Sequence, residues 1–260
     1  MKRSKSIDIL RAVAVFLVLG RHMEVAPRSS EVPYLLHWLS FHWERGGWVG
    51  VELFFVLSGF LVSGLLYKEY NRFGDISAKN FLIRRGLKIY PAFWALLLLT
   101  PLVRTFGHPV VWKTMVPEVL FLQNYWPGVW NHTWSLAVEE HFYVLLLLLF
   151  IFLTGRKRAS PGFSAIPSIF LCLGLVELCL RVLTYRHLPY NHSTHLAPTH
   201  LRLDSLFCGV AVAYFYHRDT PTFLNRARRW RGICLLAGML ALAPAFLWTL
   251  SSTRPSSPWA

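Results

Sequence analysis

The sequence predicts an all-α protein: a polytopic transmembrane bundle of about seven spanning helices. Three observations carry that expectation. Hydrophobic residues make up 54% of the 260 residues and charged ones only 15%, and the mean hydropathy is +0.40, well above what a soluble domain of this size needs. Seven apolar runs stand out, at about 7–23, 48–67, 90–106, 134–153, 163–183, 203–217 and 232–250, with 203–217 the shortest. Basic residues gather between these runs. The excess of 27 Lys and Arg over 13 Asp and Glu would suggest nucleic acid in a soluble chain, but this placement argues for a membrane and against nucleic acid.

The same placement gives an orientation. With the N-terminus in the cytoplasm, seventeen Lys and Arg fall on inner segments: Lys2, Arg3 and Lys5; Lys68, Arg72, Lys79, Arg84, Arg85 and Lys88; Arg156 to Arg158; and Arg218, Arg226, Arg228, Arg229 and Arg231. Only seven fall on outer segments, and three lie inside runs. By the positive-inside rule the chain is integral to the plasma (cytoplasmic) membrane, multi-pass, with its N-terminus inside. A signal peptide is the rival reading of the basic start, but Arg11 interrupts the apolar region and no small-x-small cleavage pattern follows, so an uncleaved helix is expected. One membrane domain is expected over 1–250, with the polar tail 251–260 unordered.

The first run carries Arg11 and His22. Eleven residues are close to three helical turns, so the two share a face roughly 16 Å apart along the axis. Ionisable groups in a spanning segment are costly and usually face the protein interior or a wet cavity, which makes the pair a functional candidate. An outer loop is expected from there to about Gly47, with Trp38, Trp43 and Trp48 at the membrane interface. The second run has Glu52 at its outer end. Its Ser58, Gly59, Ser63 and Gly64 suit close helix approach, with Ser58 also a candidate for the chemistry.

A long inner loop is then expected up to Pro91, where the third helix starts. Within it, 80–90 mixes Arg84, Arg85 and Lys88 with Phe81, Leu82 and Ile89, the composition of an interfacial amphipathic helix. Its cations serve orientation and lipid contact, or else bind phosphate on the cytoplasmic side. After the third helix, Thr133 or Ser135 is expected to cap the fourth, and Glu139 and Glu140 then lie in its first turns, where the helix dipole favours acids. Two adjacent carboxylates exceed what a cap requires. Glu177 and Arg181, four apart in the fifth run, read as an ion pair, and Arg202 with Asp204 as another. Cys172, Cys179, Cys208 and Cys234 lack CxxC spacing and read as inert core residues. His187, His192, His195 and His200 match no metal-site spacing, so no metal is expected.

In this topology His22, Glu52, Glu139, Glu140, Glu177, Arg181, Arg202 and Asp204 all come out in the outer half of the membrane, while the cytoplasmic side is almost purely basic. A phosphate-bearing donor inside and a proton-accepting centre outside suit transfer of a group across the membrane. With a carboxylate as partner, His22 can take the proton of an acceptor hydroxyl as general base.

Five stretches in order resemble the acyltransferase 3 family of integral membrane acyltransferases: LRAVAVFLVLGRH, with its Arg-x10-His spacing at Arg11 and His22; GVELFFVLSGFLVSGLL at 50–66; FLIRRGLKIYPAFW at 81–94; TWSLAVEEHFY at 133–143; and, more loosely, RLDSLFCGVAVAY at 202–214. The resemblance implies an O-acyltransferase, O-acetyl above all, that moves an acyl group from cytoplasmic acyl-CoA (acetyl-CoA) to a hydroxyl of a carbohydrate or glycolipid acceptor outside. The acyl-CoA is a co-substrate, and no permanently bound cofactor is expected. On that resemblance Arg11 and His22 are the family's essential pair, Arg84 and Arg85 its basic motif with Lys88 and Tyr90 beside them, and Glu139 or Glu140 its acidic motif. Glu52 stands where the family usually has Asp, and Lys88 where Arg is common. Since the family has about ten helices, the sequence reads as a C-terminally truncated member. Rival expectations are a proton-coupled transporter using the same intramembrane acids, and an inactive membrane scaffold.

Overall fold

The computed structural model describes residues 5–23, 25, 32–104, 112–126, 128–155 and 162–247. All regular structure among them is helical: α1 (Lys5–His22), α2 (Tyr34–Gly46), α3 (Val49–Phe73), α4 (Ala78–Arg104), α5 (Trp112–Val119), α6 (Trp134–Gly155), α7 (Ile166–His187), α8 (His192–His195), α9 (Leu203–Arg218) and α10 (Thr220–Leu247), with 3-10 turns at Asn131–Thr133, Gly162–Ala165 and Thr199–Leu201.

Each of the seven apolar runs falls on a helix. Among the described residues, four stretches are long and apolar enough to cross a membrane: α3, α7 and α10, and α6, with the 3-10 turns before α6 and α7 included. The shortest run, α9, has 16 residues. At 1.5 Å per residue it is about 24 Å long, less than the roughly 30 Å of a bilayer core. The cations Arg156 to Arg158 and the tail 251–260 lie outside the described residues.

The helices differ from expectation in three places. Tyr34–Gly46 is a helix, not an outer loop; its sequence YLLHWLSFHWERG has no long apolar run to reveal it. The expected interfacial helix 80–90 and the third span are one rod, α4, which starts at Ala78 and passes through Pro91. A proline inside a helix removes one backbone hydrogen bond, and helices of membrane proteins tolerate this where neighbours re-satisfy the carbonyl. The long inner loop therefore shrinks to Gly74–Ser77. Likewise the basic segment before the last run is not loop but the first half of α10.

The cysteines also depart from expectation: Cys172, Cys179 and Cys234 are exposed and Cys208 is half-buried, all of them free. Helices of a membrane protein turn apolar residues to lipid as readily as to a protein core, so apolar surroundings in sequence do not imply burial.

The described residues form two compact units, one made of the chain up to Phe54 with that from Asp219 on, the other of Phe55–Arg218. In the first, α1 packs on α2 because Gly20 has no side chain to keep Trp43 away. The Trp43 ring stacks on Phe16 at 4.2 Å, and its Nε1–H donates to the Phe16 carbonyl at 2.9 Å. Arg21 pairs with Glu44, and His42 Nδ1 donates to the Phe246 carbonyl of α10 at 2.7 Å.

In the second unit α6 is the central rod, with Ala137, Val138, Phe142, Leu146 and Phe150 fully buried. Helices α3 and α9 cross backbone to backbone: a Cβ on Gly59 would run into the Leu206 carbonyl, and one on Gly209 into the Val56 carbonyl. The small residues of α3 thus do what the sequence expects of them, letting two helices touch closely where packing rather than apolar burial supplies the attraction.

Candidate active site

Glu139 and Glu140 sit on adjacent positions of α6, about 100° apart around the helix, and each meets a different set of donors. Tyr143 lies one turn along from Glu139, and its hydroxyl donates to Glu139 Oε2 at 2.8 Å. The Tyr143 oxygen is in turn 2.9 Å from Ser58 Oγ of α3. Ser58 also bonds Glu139 itself. Ser58 and Tyr143 together aim two hydroxyls along a line toward one carboxylate.

Glu140 accepts from the hydroxyl of Tyr90, on α4, at 3.2 Å. It is 9% exposed, and its Oε1 is buried without a hydrogen-bond partner. From α4 the Arg85 guanidinium stands over the Tyr143 ring at 5.8 Å, with its Nε also buried and unpartnered. Arg85 is close enough to attract the charge of both carboxylates, and Lys88 that of Glu139. An orphaned buried polar atom costs about 1–3 kcal/mol, more when charged. This cluster holds two such atoms of opposite character, an acceptor on Glu140 and a donor on Arg85.

This assembly corrects the topology read from the sequence. Arg84, Arg85, Lys88 and Tyr90 were expected at a cytoplasmic interface, away from the carboxylates. Because α4 begins at Ala78, residues 85–90 stand two to three turns inside the helix, and the basic and acidic motifs meet directly. The two arginines separate. Arg84 is exposed and turns to Glu69 of α3, with Nη2 3.6 Å from Glu69 Oε2, whereas Arg85 belongs to the carboxylate cluster.

The remaining candidates lie in the other unit. Arg11 is half-buried and His22 exposed, on the single uninterrupted helix α1, of which His22 is the last residue. The three-turn spacing therefore holds. A base at a helix C-terminus is favoured by the dipole when it carries a proton. Glu52 is half-buried in the first turn of α3.

Three further groups escaped the sequence reading. Tyr143 is one; its i+4 spacing from Glu139 was the available signal. Glu118 of α5 is fully buried, and Thr133 Oγ1 donates to its Oε2 at 2.9 Å while the Trp130 amide donates to its Oε1 at 3.0 Å. The Thr133 hydroxyl expected to cap α6 is thus turned to Glu118. Burial pushes the Glu118 carboxyl above the usual carboxylate range, against the lowering effect of these bonds and one from Val129.

The third is a polar tie across α6. Asn124 Nδ2 donates to Thr199 Oγ1 at 2.7 Å, Thr199 Oγ1 and His141 Nδ1 share a hydrogen bond at 2.7 Å, and the His141 ring bonds to the backbone of Phe121. Phe121 is the one non-glycine described residue with positive φ, at 55°, a conformation costly for an aromatic residue. Its ring centroid lies 5.4 Å from that of Tyr90, the donor to Glu140. His141, next in sequence to the carboxylates, anchors the turn that packs on Tyr90.

A further ion cluster, half-exposed apart from its buried Glu177, joins α7 and α9. Arg181 Nη2 lies 2.8 Å from Asp204 Oδ2 and 3.4 Å from Glu177 Oε2, as the i,i+4 spacing of Glu177 and Arg181 led one to expect. Arg181 also donates to the Leu201 carbonyl at 2.7 Å. Arg202 donates to the Leu196 carbonyl at 2.7 Å and lies over the Trp134 ring at 5.6 Å.

Residues 4–259 match the family described as acyltransferase domain. Among similar proteins is one of Staphylococcus aureus (strain MSSA476) named "Putative O-acetyltransferase SAS0844", 30% identical over 235 residues, covering 83% of this chain and 35% of that protein. The peptidoglycan O-acetyltransferase OatA of Listeria monocytogenes is 26% identical over 266 residues, covering 94% of this chain and 39% of the relative. The O-acetyltransferase OatA of Staphylococcus aureus (strain NCTC 8325) is 28% identical over 199 residues, with 70% and 32% covered. The chain spans about a third of the length of the curated relatives it matches. No solved structure matches it.

Proposed function

The chain belongs to the acyltransferase domain family, and from that premise we propose that it is a membrane O-acetyltransferase, taking an acyl group from cytoplasmic acyl-CoA to a hydroxyl of an extracytoplasmic carbohydrate such as peptidoglycan. The observation that carries this reading is the cluster in which Arg85, Tyr90, Ser58 and Tyr143 surround Glu139 and Glu140 with two buried polar atoms left open. Family membership turns that cluster toward acyl transfer, and the names of the relatives point to acetyl and, for one of them, to peptidoglycan.

In this reading the acceptor hydroxyl gives its proton to His22 as its oxygen attacks the thioester carbonyl. The C–S bond breaks, the coenzyme thiolate leaves and is protonated, and an ester and free coenzyme A result. Arg11 is the cation paired with His22 by helical spacing. Arg85 and the hydroxyls of Tyr90 and Tyr143 hold the polar groups of the α6 cluster. The orientation with the N-terminus in the cytoplasm and seven membrane crossings belongs to the same proposal.

Replacing His22 by Ala in membranes supplied with radiolabelled acetyl-CoA and acceptor is expected to lower transfer by about 10²-fold or more, the usual worth of a general base. Transfer at the wild-type rate would sink the assignment. Proton flux without any dependence on coenzyme A would point to the transporter class instead.

A further inference from the structure

Helix α5 ends in the hydrogen-bond pattern of a Schellman cap. The Leu122 amide donates back to the Pro117 carbonyl at 2.7 Å and the Phe121 amide to the Glu118 carbonyl at 3.1 Å, which makes Phe121 the residue that turns left-handed just past the helix, at φ 55°. Glycine usually takes that place, because a Cβ is crowded there. Here a half-buried phenylalanine takes it. Such strain persists only where the surroundings over-determine the conformation, and it gathers at functional sites.

The Phe121 side chain shows what the strain is for. Its ring centroid lies 5.0 Å from that of Phe93 and 5.4 Å from that of Tyr90, both on α4. Trp94 stacks on Tyr90 from within α4 at 5.5 Å, whereas Phe121 comes to it from the end of α5. The Tyr90 hydroxyl between these contacts and α6 donates to Glu140 at 3.2 Å. A glycine at 121 would close the cap at lower cost and leave Tyr90 without that ring.

The backbone of Phe121 shows how the cap is held. Its amide is spent on Glu118, so the group that meets the His141 ring is its carbonyl, and a ring nitrogen facing a carbonyl carries the hydrogen. His141 Nδ1 shares a hydrogen bond with Thr199 Oγ1 at 2.7 Å, and Asn124 Nδ2 donates to the same oxygen at 2.7 Å. Thr199 and Asn124 are both buried. A fixed imidazole next in sequence to Glu140 thus grips the strained residue whose ring packs on the donor to Glu140.

We propose that His141 is a positioning residue which, through the strained Phe121 cap, sets the Tyr90 hydroxyl against Glu140. Its bearing on transfer rests on the function proposed above; the placement of Tyr90 does not. A displacement of about 1 Å at a reacting centre can cost on the order of 10²-fold in rate, so a residue that touches no substrate can still govern turnover.

The test uses the full chain in membranes. Transfer from labelled acetyl-CoA is measured for H141A, H141Q, F121G, Y90F and the double variant Y90F/H141A, and fluorotyrosine is built in at Tyr90 so that its fluorine resonance reports the surroundings of the phenol independently of transfer. H141A and F121G are each expected to lower transfer at saturating acetyl-CoA at least about 10-fold, and H141A to shift the fluorine resonance. H141Q, whose amide can still donate to the Phe121 carbonyl, should keep both near the wild type. Y90F/H141A should be no slower than Y90F, because the two changes remove one contact. A cap that serves the fold alone gives the opposite result: F121G, which relieves the strain, then transfers at the wild-type rate, and that outcome overturns the proposal. An unmoved fluorine resonance in H141A overturns it too, as does a Y90F/H141A rate that multiplies the two single losses. A wild type that transfers no acetyl removes the function proposed above, and the fluorine resonance then decides the positioning by itself. Should H141A fail to fold, the contrast of F121G with H141Q decides it.

Discussion

Glu118 and Glu140 are both buried carboxylates in the Phe55–Arg218 unit, and they are served in opposite ways. Glu118 is fully enclosed, and its two oxygens are met by the Trp130 amide and the Thr133 hydroxyl. Gly128 is packed so tightly on it that a Cβ there would collide with Oε1. Glu140 has one donor, Tyr90, and an oxygen with no hydrogen-bond partner, and Nε of Arg85 in the same cluster has none either. The first carboxylate is consumed in holding the segment between α5 and α6 in shape. The second leaves one oxygen unmet, and an unpaired buried polar atom is a net cost.

The contrast is sharpest under substitution. Glu118→Ala leaves the backbone donors at Trp130 and Val129 without their acceptor, while the Thr133 hydroxyl keeps the Trp130 carbonyl, and is expected to cost about 3 kcal/mol of stability, at roughly 1–3 kcal/mol per orphaned group. Thermal denaturation in detergent checks it, and activity per folded molecule should change little. Glu140→Gln should reverse the pattern, with transfer from labelled acetyl-CoA falling about 10²-fold while the melting temperature holds, since Gln keeps the shape of the side chain and an acceptor for the Tyr90 hydroxyl. Equal damage to stability from both would erase the distinction. Gly128→Ala is the milder probe of the first region. The added methyl has to displace Glu118, an overpacking worth about 1–3 kcal/mol, and a melting temperature unmoved by it would mean that the enclosure of Glu118 is loose.

Much of this was legible in the sequence, and the exceptions have a common cause. Long apolar runs announce themselves one at a time, so the helices that carry them were found. Adjacent Glu139 and Glu140 stood out because two acids in an apolar helix need a reason. Tyr34–Gly46 did not stand out, being short and mixed, and Pro91 suggested a helix start where α4 passes straight through. That error displaced Arg85 and Tyr90 to a surface segment and hid their meeting with the carboxylates. Glu118 was invisible for a different reason: its partners, Trp130 and Thr133, lie twelve and fifteen residues on, across a turn with no periodicity to read. The Asn124, Thr199 and His141 tie is more remote still. Pairing within one helix can be seen in spacing, as with Glu177 and Arg181, while pairing between elements emerges only from the fold.

The smallest expected effect separates the two carboxylates by pH. Burial raises the Glu118 carboxyl above its ordinary range, and the bonds from Trp130, Thr133 and Val129 offset that only in part. In the folded chain Glu118 therefore keeps its proton to a higher pH than in the unfolded chain, where a glutamate titrates near 4.3. Stability linked to this group is then fully present below about pH 4.3 and is lost as pH rises through the folded-state value, because the unfolded chain ionises first. Glu118→Gln, which cannot ionise, lacks this loss. Relative to Glu118→Gln, the wild type should thus melt progressively lower as pH is raised from about 4 toward 8, a comparison that cancels the other titrating groups common to both. A melting difference that is flat across that range would mean that Glu118 is ionised in the folded state as easily as in the unfolded one. Its three hydrogen-bond donors would then outweigh its burial, and the carboxylate would be a charged anchor for the segment rather than a neutral one.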